Sequence, residues 1–305
     1  MERSSHDLRG KTALITGAAR GLGAATARRL ARRGASLSLV GHEPRALACL
    51  AAELGPDAIW IDADVTDAEA IDGAVQRTVE RFGGLDVVVA NAGVSAWSSL
   101  EASAPEEFDR VIQVNLLGTM RTLHAALPFV VDAGGYALVV ASVAACVQAP
   151  LQSAYTASKA GVEAMANSLR IELMATEARL GVAYLGFCDT DMLRARDADP
   201  VGRHVWSGAR SGPFKPLHVP HVAEALARAV EQRARRVVLP RAAWPLVLAG
   251  GLLQPLLDLQ VAGSVGAARR ARTRLRLSGP PTSVRSARAS WARDAVPGAS
   301  GWSPR

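Results

Sequence analysis

Two side chains that can move a proton lie four residues apart in residues 153–161. Tyr155 and Lys159 stand in a segment that has no proline before Pro200, and at helical spacing residues i and i+4 share one face. A lysine ammonium beside a phenol favours the phenolate and lowers the tyrosine pKa from about 10. A phenol tuned in this way can donate and accept a proton. Because Tyr-x-x-x-Lys pairs are also common on helix surfaces, a solvated structural pair is the alternative.

A hydroxyl group lies upstream of this pair. Ser142 ends the apolar run of residues 136–141, which predicts a strand. A strand that ends in a hydroxyl, then a loop, then a helix that opens with Tyr155 and Lys159 would bring three polar groups to one spot. That spot has the size of a carbonyl group, so the pattern indicates proton transfer at a substrate oxygen.

A candidate phosphate-binding turn lies near the N-terminus. Residues 11–16 predict a short buried strand, and an Ala-, Arg- and Leu-rich helical segment begins after the glycines that follow. Glycines let a backbone approach a pyrophosphate, and a helix N-terminus offers free N–H groups. The spacing is G-x-x-x-G-x-G rather than G-x-G-x-x-G, and a plain tight turn is the alternative. The residues of the turn are Thr16, Gly17, Ala18, Ala19, Arg20, Gly21, Leu22 and Gly23.

The end of the second predicted strand, residues 35–40, bears on the choice of cofactor. An NAD-binding domain usually places an acid there for the ribose hydroxyls, whereas this chain has Gly41 and His42. Glu43 is followed by Pro44 and is expected to open the next helix. The missing acid, with Arg20 and His42 nearby, favours NADP(H) over NAD(H). For His42, a surface loop position is the alternative.

Further strands are predicted at residues 58–61, 85–90, 136–141, 182–185 and 235–240, with helices between them, including residues 153–179 and 220–232. This alternation predicts an α/β fold: a doubly wound, Rossmann-like parallel sheet of about seven strands with helices on both faces. Candidate residues follow the strands, so the ligand crevice should lie along their carboxyl ends. Asp64 could bind an adenine or act as a turn carboxylate, and Thr66 or Asp67 is expected to cap the helix that ends at Phe82.

With these features in order, residues 8 to about 240 resemble the short-chain dehydrogenase/reductase family, in its main single-domain group. Each matching motif is weak alone, but their order and spacing together are specific. One departure is Leu185-Gly186, where the family usually has Pro-Gly. The matching residues are Thr16-Gly17-x-x-x-Gly21-x-Gly23, Asp64, Asn91-Ala92-Gly93, Asn115, Ser142, Tyr155-x-x-x-Lys159 and Asp189-Thr190.

The resemblance implies roles for these residues. Tyr155 is the general acid in reduction and the base in oxidation, and Lys159 lowers its pKa and binds the nicotinamide ribose. Ser142 holds the substrate oxygen, and Asn115, in a helix distortion, anchors a water in a proton relay. The implied catalytic residues are Asn115, Ser142, Tyr155 and Lys159. The implied cofactor-binding residues are Thr16, Gly17, Arg20, Gly21, Leu22, Gly23, His42, Asp64, Val65, Asn91, Ala92, Gly93, Tyr155, Lys159 and Thr190.

The net charge of +7 is located in residues 267–305. Residues 267–305 hold nine arginines and one acid, Asp294, so the rest of the chain carries a net charge of −1. A near-neutral folded part argues against nucleic acid as a partner. We expect residues 1–240 to form the catalytic Rossmann-fold domain, residues 241–277 an apolar and then basic extension, and residues 278–305 a disordered tail.

Residues 244–259 are apolar but contain two prolines and two glycines, too many interruptions for a membrane span. They could cover the substrate cleft, form an oligomer contact, or anchor residues 244–277 at an anionic lipid surface. The N-terminus is polar and has no secretory signal. Cys49, Cys146 and Cys188 lack metal-binding or CxxC spacing, so we expect no metal, reduced buried thiols and a cytoplasmic protein.

The leading hypothesis is an NADP(H)-preferring carbonyl reductase or alcohol dehydrogenase, as a dimer or tetramer. The alternative is a non-catalytic nucleotide-sensing or scaffold protein on the same fold, although such relatives typically lose the Tyr or the Lys. The predicted substrate loops suit a small apolar ketone, aldehyde or alcohol, and we expect Arg194, Arg196 and Asp197 on a solvated helix face. The loop side chains, which could also be core, are Val94, Trp97, Val143, Val147, Met192, Leu193 and Trp206.

Overall fold

The computed structural model describes residues 7–101, 103–198 and 212–255. Within these residues, seven parallel strands form one sheet in the order β3-β2-β1-β4-β5-β6-β7. The strands are β1 (Thr12–Thr16), β2 (Ser36–Gly41), β3 (Ala58–Asp62), β4 (Val87–Ala90), β5 (Tyr136–Val140), β6 (Arg179–Leu185) and β7 (Arg236–Leu239). The predicted doubly wound parallel sheet is confirmed.

Helices connect the strands, as right-handed crossovers between parallel strands require. They are α1 (Gly21–Ala31), α2 (Pro44–Leu54), α3 (Ala68–Phe82), α4 (Pro105–Ile112), α5 (Gly118–Asp132), α6 (Ser153–Glu172), α7 (Asp191–Ala198) and α8 (Val219–Glu231). A π-helical turn, Gln113–Leu117, joins α4 to α5, and 3₁₀ turns lie at Val143–Ala145, Leu173–Ala175, Gly212–Phe214 and Arg241–Ala243. Residues 244–255 are helical as well.

Both faces of the sheet are covered, which explains the continuous apolar runs of the strands. Successive strand residues point to opposite faces: Ala13 and Ile15 of β1 pack in a core with α1, α2 and α8, whereas Leu14 packs in a second core with α3, α5 and α6. The two cores hold the sheet rigid from both sides. The carboxyl ends of the strands can therefore serve as a fixed frame for loops.

The helix boundaries follow capping chemistry. Asp67 accepts a hydrogen bond from the Ala70 N–H at 3.1 Å and caps α3, as predicted. The predicted helix from Ser153 to about Arg179 was too long, because α6 ends at Glu172. The Thr176 hydroxyl bonds to the Leu173 carbonyl at 3.0 Å, which competes with helical bonding, and Arg179 already pairs with β5.

The helical residues 244–255 pack against the loop that follows Ser142. A Cβ on Gly250 would overlap the Cys146 carbonyl oxygen, and the Gln254 side chain exchanges two hydrogen bonds with the Gln148 backbone, at 2.9 and 3.2 Å. This contact supports the covering role among the three alternatives for the segment. In the described part of the chain, no helix is long and apolar enough to cross a membrane. The predicted tail, residues 278–305, lies outside the described residues.

The three cysteines were predicted to be buried, and two of them are partly so. All three thiols are free, and Cys146 and Cys188 are partly buried. Cys49 was predicted to be buried, but it is exposed because it lies on the outer face of α2, away from the buried Leu47 and Leu50.

Candidate active site

The candidate residues lie along one edge of the sheet. β1 lies between β2 and β4. The strands β2 and β3 are therefore added on one side of β1, and the strands from β4 onward are added on its other side. In such a sheet the carboxyl ends of the strands beside this reversal form a ligand crevice. The glycine turn follows β1, Asn91 follows β4, Ser142 follows β5 and Thr190 follows β6. The topology therefore brings together four segments that are far apart in sequence.

The glycine turn requires glycine at three places. Gly17 and Gly21 have positive φ angles of 64° and 54°, a region that other residues rarely adopt. A Cβ on Gly23 would overlap the Gly17 carbonyl oxygen and lie 2.8 Å from Asn91 Nδ2. The same Asn91 amide donates to the carbonyls of Thr16 (3.0 Å) and Gly17 (3.2 Å). Asn91 thus fixes the turn to the end of β4.

The helix that follows the turn presents an open N-terminus. Arg20, the N-cap residue of α1, makes no side-chain capping bond, and the first turn of the helix contains no acid. The free N–H groups and the positive dipole end of α1 are therefore available to an anion. Ala92 lies against the backbone of Gly17, and the Thr190 methyl lies 3.6 Å from where a Cβ on Gly21 would be. This glycine turn and open helix N-terminus fit the pyrophosphate of a dinucleotide.

Tyr155 and Lys159 lie at the start of α6, on the face predicted by their spacing. The Lys159 ammonium lies 5.8 Å from the centre of the Tyr155 ring and donates to the Val140 carbonyl at 2.8 Å. The lysine side chain is 4% exposed, while the tyrosine is partly buried. The pair is therefore not a solvated surface pair.

The pKa of Tyr155 shifts in the direction opposite to the one predicted. Burial raises it to about 12, although the hydrogen bond with Ser142 lowers it, and the nearby Cys188 raises it further. Burial also lowers the pKa of Lys159 to about 8. Loss of solvation thus disfavours both charged forms and is the largest cause of both pKa shifts. At neutral pH the phenol keeps its proton.

Asn115 occupies the middle of the π-helical turn and is fully buried. Its side chain exchanges two hydrogen bonds with the Val94 backbone, at 2.8 and 2.9 Å, and donates to the Ser158 hydroxyl at 3.0 Å. Ser158 in turn donates to the Tyr155 carbonyl at 2.7 Å. A Cβ on Gly93 would lie 3.4 Å from Asn115 Oδ1 and 3.7 Å from Lys159 Nζ. These contacts join the loop after β4 to the Tyr155–Lys159 helix.

Ser142 lies just beyond β5, where it caps the 3₁₀ turn. Its hydroxyl accepts from the Ala144 N–H and donates to the Leu185 carbonyl, both at 3.1 Å. These two bonds hold the oxygen in place beside the Tyr155 phenol, with which it interacts. Two hydroxyl groups therefore face one small volume, the arrangement that a carbonyl or alcohol oxygen requires.

Arg20 is drawn into an ion-pair chain across the crevice. Its guanidinium lies 2.7 Å from Glu43 and 3.5 Å from Asp191. Glu43 is the N-cap residue of α2, as predicted, and its carboxylate is the nearer of the two acids that pair with Arg20. His42 is exposed. The sequence reasoning missed the Glu43 contact because the two residues are 23 positions apart and only the fold brings them together.

The remaining predicted cofactor residues lie nearby, with fewer contacts. The Asp64 carboxylate accepts from the Thr66 N–H at 2.9 Å, which is the turn role that was the alternative for it. Val65 is buried against Gly118, where a Cβ would lie 2.6 Å from its side chain. Leu22 packs partly buried in the core beneath α1. None of these three contacts a predicted catalytic residue in the hydrogen bonds of the described chain.

A comparison with known families decides the identity. The family model described as "short chain dehydrogenase" matches residues 11–200, a span that includes every predicted catalytic residue. The chain belongs to the short-chain dehydrogenase family. It is therefore an oxidoreductase that acts on CH–OH or C=O groups with a nicotinamide cofactor.

Relatives of this short-chain dehydrogenase include a trans-4-hydroxycyclohexanecarboxylate dehydrogenase of Sinomonas cyclohexanicum, 38% identical over 67% of the chain and 83% of the relative. A solved alcohol dehydrogenase of Thermococcus sibiricus, in complex with 5-hydroxy-NADP, is 33% identical, with a TM-score of 0.65 over 75% of this chain and 94% of that one. A short chain dehydrogenase/reductase of Burkholderia phymatum, in complex with NAD, is 25% identical, with a TM-score of 0.72 over 84% of this chain and 96% of that one. These structures hold different cofactors.

One prediction about the substrate side of the short-chain dehydrogenase is wrong. Arg194 lies on a solvated face, paired with Asp189 and Asp191 at 3.4 and 2.7 Å. Arg196 was expected on the same face, but it is 1% exposed. Its guanidinium is covered because it packs against aromatic rings of two loops. Trp206, predicted to line the substrate site, lies outside the described residues.

Proposed function

We propose that this enzyme interconverts a carbonyl and an alcohol on a small, largely apolar substrate, with NADP(H) as the preferred cofactor. The observation that carries the proposal is the convergence of Ser142, Tyr155 and Lys159 beside the glycine turn. The serine hydroxyl is held by bonds to the backbone of Ala144 and Leu185, and it lies beside the Tyr155 phenol. The two hydroxyl groups would contact a substrate oxygen from two sides.

The chain's own residues would handle the proton. At neutral pH the Tyr155 phenol is protonated, since its pKa is raised to about 12, so it can donate to the oxygen of a carbonyl. Ser142 would orient that oxygen, and Lys159 would hold the ribose of the cofactor near the phenol. The bound nicotinamide supplies or accepts the hydride. Asn115, through Val94 and Ser158, would keep the loop and the helix in register.

The experiment that tests this function is reduction of a panel of neutral ketones with NADPH, followed as loss of cofactor absorbance. Tyr155→Phe removes only the proton donor, so it should reduce the turnover rate by about 10²- to 10⁴-fold while NADPH still binds. Turnover by Tyr155→Phe at the wild-type rate would refute the assignment. The non-catalytic alternative finds no support in the relatives described above, and absence of turnover with tight NADPH binding would revive it.

The cofactor preference rests on Arg20. Its guanidinium borders the crevice, but Glu43 occupies it at 2.7 Å, so a 2′-phosphate would have to share or displace that carboxylate. We expect Glu43→Gln to tighten NADPH binding by about 5- to 30-fold, an electrostatic coupling of about 1–2 kcal/mol, with little effect on NADH. Arg20→Gln should reverse the preference. Tighter NADH than NADPH binding by the wild-type enzyme would overturn this part of the proposal.

A membrane contact is a second candidate role for the helical residues 244–255, in an enzyme that we place in the cytoplasm. Their outer face presents Trp244, Leu248 and Leu252, spaced by one helical turn, and the two leucines are 65% and 83% exposed. Nine arginines follow in residues 267–305, which complements an anionic lipid surface.

The membrane contact can be tested without cutting the chain. Leu248→Glu with Leu252→Glu changes only exposed positions, whereas deletion from residue 241 would also strip the packing around Cys146. Co-sedimentation with phosphatidylglycerol vesicles should fall for the double variant. Equal sedimentation of the wild type and the double variant refutes the membrane contact. If light scattering shows a lower mass for the double variant, the exposed face of residues 244–255 forms a contact between copies of the chain instead. We also propose a dimer or tetramer, supported by the exposed Ile171 in the last turn of α6 and the exposed Met174 in the 3₁₀ turn that follows it.

A further inference from the structure

Arg196 is a charged side chain buried on the substrate side of the site. It lies on α7 and is 1% exposed, whereas Arg194 on the same helix is 64% exposed. Burial of a cation is unfavourable unless its donors are paired. The burial of Arg196 therefore needs a partner for each edge of its guanidinium.

The guanidinium lies between loops that both lead to the reaction centre. Its carbon is 5.5 Å from the Trp97 ring centre and 4.5 Å from that of Phe187. Trp97 lies three residues beyond Val94, whose backbone holds Asn115. Phe187 lies two residues beyond Leu185, whose carbonyl holds Ser142. Arg196 thus reaches a point between the two loops that flank the catalytic residues.

Among the residues that the structure describes, one edge of the guanidinium has a hydrogen-bond partner. Nε and Nη2 donate to a single oxygen of Asp197, at 2.9 and 2.7 Å. Nη1 is buried and has no hydrogen-bond partner within the described part of the chain. Buried donors of this kind are rare and require an explanation. The rings hold the planar group in place, so the remaining edge presents a preformed fork that matches a carboxylate.

We propose that Arg196 binds an acidic group, a carboxylate, at the end of the substrate remote from the reacting oxygen. The substrate would then be a cyclic or aromatic alcohol or ketone that carries a carboxylate. Trp97 and Phe187 would contact its apolar body, and Arg196 would fix its register against Ser142 and Tyr155. This inference rests on the proposed carbonyl–alcohol function and narrows its substrate class.

The first experiment compares kcat/KM for 4-acetylbenzoate with that for its methyl ester. The ester keeps the ketone, the ring and the shape but has no charge. We expect the wild-type enzyme to prefer the acid by about 10- to 100-fold, the range of one charge-assisted hydrogen bond. Arg196→Gln should bring the ratio close to one, and Arg194→Gln, the matched exposed control, should leave it unchanged. An unchanged ratio in Arg196→Gln, or a wild-type preference for the ester, overturns the proposal.

A binding measurement separates this proposal from the proposed function. Sodium benzoate should raise the melting temperature of the wild-type enzyme and of Arg194→Gln, whereas neutral benzamide should not. Neither compound can be reduced as a ketone, so this result does not depend on turnover. Absence of a benzoate effect refutes the carboxylate site even if neutral ketones are reduced. A benzoate effect without ketone reduction supports the site and counts against the proposed function.

A second variant guards against loss of folding in Arg196→Gln. Asp197→Asn keeps the arginine and removes the carboxylate that now neutralises it, and Asp197 is one quarter exposed. It should increase the acid-to-ester ratio and the benzoate-induced rise in melting temperature. If Arg196 only holds α7 against the two loops, Asp197→Asn would change kcat/KM for the acid and for the ester by the same factor. That result would refute the proposal.

Discussion

Lys159 should lower the stability of the folded enzyme at neutral pH, and replacing it should show by how much. Its ammonium is buried in the core of the site, with the Val140 carbonyl as a hydrogen-bond acceptor at 2.8 Å. Burial lowers its pKa from 10.5 to about 8. Below pH 8 the lysine is charged in both the folded and the unfolded chain, so the folded state bears the desolvation cost.

The magnitude follows from proton linkage. Between pH 8 and 10.5 the unfolded chain binds a proton that the folded chain does not, so the free energy of unfolding rises with pH in this window. Each pKa unit corresponds to about 1.4 kcal/mol, which gives a total of about 3 kcal/mol. Lys159→Met removes the charge and keeps a similar length. It leaves the Val140 carbonyl without this donor, a cost of about 1–3 kcal/mol that does not depend on pH.

The assay is urea unfolding of the wild type and Lys159→Met at pH 7 and pH 10.5. Other titrating groups are common to both proteins and cancel in the difference. The wild type should gain about 3 kcal/mol relative to the variant between the two pH values, and the variant should have lost its catalytic activity. A stability difference that is the same at both pH values would show that Lys159 is not desolvated as the structure indicates.

Two glycine substitutions, each with a glycine control, and one tyrosine substitution test the site more locally. Gly23→Ala should abolish cofactor binding in a titration because the new methyl overlaps a carbonyl of the glycine turn, whereas Gly73→Ala, which points into open space on a helix, should bind normally and be more stable by about 0.5–1 kcal/mol. Gly250→Ala should displace the helical residues 244–255 and change the KM for ketones, whereas Gly251→Ala should not. Tyr155→Phe should retain NADPH affinity within about twofold while turnover is lost, because the hydroxyl donates the proton. Normal cofactor binding by Gly23→Ala, or equal KM values for the two variants in the C-terminal helix, would contradict these expectations.

The sheet could be predicted from sequence because its strands are short apolar runs that the two-sided burial of a parallel sheet demands. Each of β1 to β5 begins and ends within about two residues of its predicted range. β6 was predicted to begin at Val182, but it begins at Arg179. Residues 179–181 belong to the strand because they pair with β5. Pairing between residues far apart in sequence gives no local sequence pattern that would predict it.

The positions of the candidate site residues followed from strand order, but their electrostatics did not. The spacing of Tyr155 and Lys159 fixes which face of α6 they share, and this depends only on helical geometry. The direction of a pKa shift depends on how much water each group loses, and the spacing carries no information about that. Burial therefore reversed the predicted shift of Tyr155.

Arg196 shows the same limit and also a signal that was available. In a helix, residues three apart share a face, and Arg196 lies three residues after Leu193, which is buried. Arg194 instead lies three residues after Asp191, with which it pairs in solvent. The helical periodicity thus places Arg196 on the buried face of α7 and Arg194 on its exposed face. The prediction of one solvated face relied on their shared charge instead. The buried cation between Trp97 and Phe187 is the observation from which we propose a charge requirement, in addition to the apolar substrate that the loop residues predict.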